Sequence, residues 1–287
     1  ILSYNVQGIS ENLLNKKISY SFNQPNLNYG KAFGVKIYTD KDGFRIKKNQ
    51  NIKKSKDILF VGGSVTFGPG IKAEKTFVEL LNNQSNFNIK NASVFGTNLE
   101  NNIEIIKNHN NLQNVNKVFI NFPLDDIISN KVNLKKNETR EKSIIDAFKK
   151  NKIVNYLNTL VRSKSAAYVF VKSVIVNPQK NNYLYDLNLY KNENLLRQLE
   201  VNLDELSKVL SKEKIFFYSI PYAAQVKNGC STNDGTEEIL KKIFNKKDYS
   251  ILFLKKDFCK IKKPINYYLK NDPVHLSKQG HEAVSLI

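Results

Sequence analysis

Long apolar runs are missing from this sequence. No stretch of about 18 consecutive apolar residues could span a bilayer, and no charged-then-apolar segment reads as a signal peptide. The chain starts at Ile1 without a methionine, which leaves open a signal or anchor ahead of it. Histidine is scarce, with three residues, and cysteine scarcer, with two. None of them clusters with carboxylates at zinc-ligand spacing, so neither a metal nor any other cofactor is expected. A basic helix, a zinc-ligand set and an aromatic nucleic-acid motif are also lacking, which argues against a nucleic-acid partner.

Positive charge, by contrast, is abundant: 45 Lys and Arg against 26 Asp and Glu give a formal net charge of +19. Such a field attracts polyanions, and an acidic glycan or an anionic membrane surface would both answer to it. The lysines are nevertheless scattered among asparagines through the whole chain, and a general bias toward Lys, Asn and Ile gives the same balance without a charged partner.

At 287 residues and 41% hydrophobic composition the chain can bury a full core, and one domain with extra surface elements is expected. Residues 1–50 are polar and lack long periodic segments, reading as an irregular N-terminal lead-in to a domain over 51–287. Five short apolar runs then follow: Ile58 to Val61, Ile89 to Val94, Val118 to Phe122, Ile215 to Ile220 and Ile251 to Leu254. Consecutive rather than alternating apolar residues suit strands covered on both faces, as in a parallel sheet. Helical spacing lies between them, clearest where Leu196, Leu199, Leu203, Leu206 and Leu210 fall on one stripe. The pattern predicts an α/β fold, a three-layer α/β/α sandwich with a parallel, flavodoxin-like sheet of about five strands. Residues 130–190 fit that repeat poorly and read as an insertion or cap, with a helix around Ile144 to Val161 and an apolar run at Ala166 to Val176.

Two segments carry chemistry. The run Ile58 to Val61 leads into Gly62-Gly63-Ser64-Val65-Thr66-Phe67-Gly68, which sets a serine at the carboxyl end of a central strand, where open α/β sheets place ligands. A phosphate-binding loop is excluded there, because no Gly-Lys-Ser/Thr follows at the required spacing. Near the other end stands Asp272-Pro273-Val274-His275, followed by Gly280-His281. A serine hydroxyl attacking a carbonyl needs a base for its proton, and that base needs its second ring nitrogen fixed. A tight turn over Asp272 to His275 can supply both, although Asp272 could equally cap a helix start. His281 reads as packing or helix-start structure, and His109, among asparagines, as solvent-exposed.

Together the Gly-Gly-Ser segment and the Asp-x-x-His-x-x-x-x-Gly-His segment resemble the SGNH (GDSL-like) hydrolase family. The first block of that family is usually Gly-Asp-Ser, where this chain has Gly63 for the aspartate. Gly96, in Ser93-Val94-Phe95-Gly96, falls at the second block, and Phe122-Pro123-Leu124-Asp125-Asp126 at the third, where the family has Asn-Asp. The resemblance implies that Ser64 is the nucleophile, His275 the base and Asp272 the group that holds it. The backbone amides of Ser64 and Gly96 would be two arms of the oxyanion hole, with Asp125 at the position of the third. An ionised carboxylate only accepts hydrogen bonds and would repel a developing oxyanion. A protonated Asp125, an amide from Asn121 or Asn98, or a weakened enzyme would each reconcile that departure.

By resemblance the substrate is a small acyl ester, such as an acetyl ester of a cell-surface polysaccharide or other glycan. Resolution of the acyl-enzyme by water makes an esterase, and resolution by a sugar hydroxyl an O-acyltransferase. The alternative is a catalytically weak or inactive module that keeps the fold and holds an acidic glycan on its basic surface. Cys230 and Cys259 fit either a reduced pair or a disulfide; the resemblance favours a bacterial periplasm or cell surface, and with it the disulfide.

Overall fold

The computed structural model describes residues 13–16, 21–48, 56–109, 112–129, 131–132, 178–230 and 234–287. The helix expected around Ile144 to Val161 and the apolar run at Ala166 to Val176 lie outside the described residues.

Strands β1 (Leu14–Lys16) and β2 (Ser21–Asn23) form a separate antiparallel pair. The remaining strands are β3 (Gly30–Ala32), β4 (Val35–Thr39), β5 (Arg45–Ile46), β6 (Asp57–Val61), β7 (Asn88–Asn91), β8 (Val115–Asn121), β9 (Ile215–Ser219) and β10 (Ile251–Phe253). They make one eight-stranded sheet in the order β10-β9-β8-β6-β7-β5-β4-β3. The five strands from β6 to β10 are parallel, and each overlaps one of the apolar runs seen in the sequence. Their order is the flavodoxin-like one, so the chain reverses direction across the sheet between β6 and β8, where such folds open a crevice at the carboxyl ends.

Strand β6 shows why consecutive apolar residues were needed. All five of its residues are buried. Because side chains alternate between faces, Leu59 and Val61 enter one core cluster and Ile58 and Phe60 the other. Helices Leu99–Lys107, Glu193–Val209 and Thr236–Lys246 cover the first face, with Leu195, Leu199, Leu203 and Leu206 as a buried stripe. Helices Phe77–Gln84, Lys255–Cys259 and Lys278–Val284 contribute to the second. No helix among the described residues is long and apolar enough to cross a membrane.

The stretch read as an irregular lead-in is ordered differently: β3, β4 and β5 extend the sheet antiparallel beyond β7. These strands have two to five residues, too short to show an alternation in sequence. A two-residue turn, Phe33-Gly34, joins β3 to β4, with φ of 48° and 79°. Positive φ at both positions defines the mirror-image hairpin turn that favours Asn-Gly. A bulky phenylalanine in that region costs roughly 1–2 kcal/mol.

Cys230 and Cys259 form a disulfide with Cα atoms 5.9 Å apart. It ties the loop after β9 to the helix after β10, and a bridge of this kind typically contributes about 2–4 kcal/mol.

Candidate active site

Strand β6 delivers the serine. Its last residue, Val61, is followed by Gly62, where an added Cβ would meet Thr66 Oγ1 at 2.8 Å and Asn121 Cβ at 3.1 Å, so a side chain there would collide with the turn. Ser64 then opens a short helix, Ser64–Phe67, that ends at Gly68 in the left-handed conformation. The loop is pinned from outside the parallel sheet. The buried Arg45 guanidinium of β5 donates to the carbonyls of Phe67, Gly68 and Ile71 and lies over the Phe67 ring at 4.7 Å. Burial lowers its pKa to about 9, still well on the charged side at neutral pH. The Gly70 amide also donates to the Ala32 carbonyl of β3 at 3.3 Å.

The second half of the site comes from the loop before the last helix. The Leu269 amide donates to the His275 carbonyl at 2.9 Å and the Asp272 amide to the Leu269 carbonyl at 2.9 Å, closing a tight loop. Asp272 Oδ1 accepts from the amides of Val274 (2.9 Å) and His275 (2.7 Å), while Oδ2 lies 2.8 Å from His275 Nδ1. His275 Nε2 lies 2.8 Å from Ser64 Oγ. Burial alone would raise the Asp272 pKa, but the charge of His275, its ring hydrogen bond and the two amides hold the carboxyl below its ordinary value. Asp272 does not cap a helix; Ser277 does, accepting from the Gly280 amide.

Gly280 is required by close approach, since a Cβ would fall 2.1 Å from the Tyr267 carbonyl oxygen. His281 is fully buried, accepts the Phe77 amide on Nδ1 and stacks on the Phe77 ring. Burial depresses its pKa to about 3, so it stays neutral and takes no part in proton transfer. His109, read from sequence as exposed, is instead buried against Phe44 just past the helix Leu99–Lys107; the asparagines around it gave no sign of that contact.

Gly96 has φ of 66°, is exposed, and has open space where a side chain would stand. Among the alternative amides, Asn98 caps the helix Leu99–Lys107 with its oxygen and donates from Nδ2 to the Ile128 carbonyl. Asn121 is completely buried, and neither end of its amide has a hydrogen-bond partner among the described residues. Asp125 lies on the short helical turn Leu124–Ile127 and is exposed. The protein around it still strips enough water to raise its pKa, against the pull of a Tyr222 hydrogen bond and of His275. Asp126 next to it is buried and pushed well up by desolvation and then by the Asp125 charge.

Sequence reasoning missed the groups behind Asp125. The Tyr222 hydroxyl donates to Asp186 Oδ2 at 2.8 Å, and Asp186 comes from the helix Pro178–Leu189 within the presumed insertion. Burial, then the Asp125 charge, pushes the Asp186 pKa up to about 8, with Tyr222 opposing. A carboxyl raised in the folded state holds its proton where the unfolded chain has lost it. Its contribution to stability is therefore full below about pH 4 and declines as pH rises toward 8. Asp186→Asn should flatten that decline: the thermal midpoint should drop less between pH 5 and pH 8 than in the wild type. An equal drop in both proteins would remove Asp186 as the cause.

No family model and no curated protein matches this chain. Among solved structures it is similar to a lipase/acylhydrolase from Enterococcus faecalis, at 12% identity over 80% of this chain and 92% of that one, with a TM-score of 0.47. It is similar also to an acetyl xylan esterase from Geobacillus stearothermophilus, at 13% identity over 82% and 93% of the two chains, with a TM-score of 0.43. A member of the lipolytic protein G-D-S-L family from Veillonella parvula gives 13% identity over 80% and 94%, with a TM-score of 0.41.

Proposed function

We infer that this chain is a serine hydrolase of the SGNH type, an esterase or O-acyltransferase acting on small acyl esters. The observation that carries this reading is the unbroken line of 2.8 Å contacts from Ser64 Oγ through the His275 ring to Asp272. Three side chains from the two ends of the sequence meet in the geometry that proton abstraction from a serine requires.

In the mechanism, Ser64 Oγ attacks the ester carbonyl while His275 Nε2 takes its proton. Asp272 keeps the Nδ1 hydrogen pointed away from the serine and stabilises the imidazolium. The tetrahedral oxyanion is received by the amides of Ser64 and Gly96. His275 then protonates the departing alcohol, and water or a sugar hydroxyl releases the acyl group by the reverse sequence. An acetylated glycan is the proposed substrate. The disulfide supports an oxidising compartment such as a periplasm or cell surface.

Acetate release from p-nitrophenyl acetate and from acetylated oligosaccharides tests the reading, with Ser64→Ala as the control. The same assay tests Asp125. With Asp125 in the third oxyanion position, Asp125→Asn replaces a repelling group by an amide donor. Turnover should rise by anything up to about a hundredfold, the usual worth of one donor. Unchanged or lower turnover would place Asp125 outside the hole or make its protonated form the working one.

A further inference from the structure

Phe33 stands at the tip of the β3–β4 hairpin with its ring edge-to-face against the His275 imidazole, centroids 5.8 Å apart at 75°. The hairpin is fastened there by the Gly70 amide bond to Ala32, and at Gly70 an added Cβ would touch both Phe33 and Leu269 at 3.6 Å. Phe33 is half-buried in this position. The turn it occupies prefers asparagine, and strained residues of this kind persist mainly where the strained group has a task.

The chemistry of the proposed esterase says which task. The oxyanion side of the substrate faces the amides of Ser64 and Gly96. The leaving oxygen must face His275, because His275 Nε2 gives it a proton. A ring against His275 therefore borders the alcohol portion of the ester rather than its acyl portion. Phenylalanine offers no hydrogen bond, only a flat apolar surface, which fits the C–H face of a pyranose ring. Just before β3 the exposed Tyr29 ring has the ammonium groups of Lys31 and Lys36 at 5.8 and 5.5 Å.

We propose that Phe33 is a specificity-determining residue, the stacking surface for the sugar ring that departs as the alcohol. This inference rests on the esterase reading above and adds the subsite to it.

The test compares two monoacetyl esters that differ only in the alcohol, methyl 6-O-acetyl-β-glucopyranoside and ethyl acetate. Phe33→Asn suits the turn better, so its thermal midpoint should be equal to or above that of the wild type. Its kcat/KM should fall about five- to tenfold further on the sugar ester than on ethyl acetate, chiefly through KM. Phe33→Leu, apolar but not flat, should show the same selective loss, and Phe33→Trp should retain the wild-type preference. Equal losses on both esters, or no loss on the sugar ester, would overturn the proposal and leave the esterase reading standing. Absence of Ser64-dependent hydrolysis of either ester by the wild type would overturn the esterase reading, and this inference with it.

Discussion

Asp272→Asn should lower kcat about ten-thousandfold while leaving the fold intact, the magnitude found when the carboxylate of such a triad becomes an amide. The orientation of the new side chain is dictated by the loop. Asp272 Oδ1 accepts the amides of Val274 and His275, and only a carbonyl oxygen can keep both bonds. The NH₂ group must then take the place of Oδ2, 2.8 Å from His275 Nδ1. There it donates to Nδ1, which forces the ring hydrogen onto Nε2 and points it at Ser64. An imidazole in that tautomer cannot accept the serine proton. Thermal midpoint and turnover measured together separate this effect from unfolding: a stable, inactive variant is expected, and a stable variant within tenfold of wild type would remove Asp272 from the mechanism.

Ser64→Ala should lower acyl ester turnover by at least about a thousandfold, and the loss should not add to others. Once the nucleophile is gone, His275 has no proton to take. Ser64→Ala combined with His275→Ala should therefore be no slower than Ser64→Ala alone, within a few fold, although His275→Ala by itself costs about as much. Additive losses would mean that the two residues act in separate steps. Stability should barely change in Ser64→Ala, because the loop is held by backbone bonds to Arg45 and from Gly70 rather than by the serine hydroxyl.

The parallel sheet was legible because its strands are buried on both faces, and Ile58 to Val61 or Ile215 to Ile220 could hardly be read otherwise. The pairing of Ser64 with Asp272 and with His275, which lies 211 positions further on, was expected only because the two short segments together resemble one family. What escaped were contacts that no such pair of segments marks. Strands β3 to β5 are too short for a period to appear, so the hairpin carrying Phe33 looked like irregular chain. Arg45 left a trace, as one of four arginines in a chain whose cations are nearly all lysine, and a forked guanidinium is what three converging carbonyls require. His109 was misplaced because polar neighbours in sequence say nothing of what packs against the residue in space. Asp186 could not be linked to Tyr222 and Asp125 from sequence, since its helix belongs to a stretch that breaks the strand–helix repeat.

The most direct test of the account is the reaction of the wild-type protein with a fluorophosphonate, followed by mass mapping of the modified residue. A nucleophilic serine activated by a histidine attacks such a phosphorus centre, and a serine merely hydrogen-bonded in a turn does not. The account predicts a single adduct on Ser64, lost in His275→Ala and strongly slowed in Asp272→Asn. A folded protein that takes no label, or takes it on another residue while Ser64 stays unmodified, would contradict it.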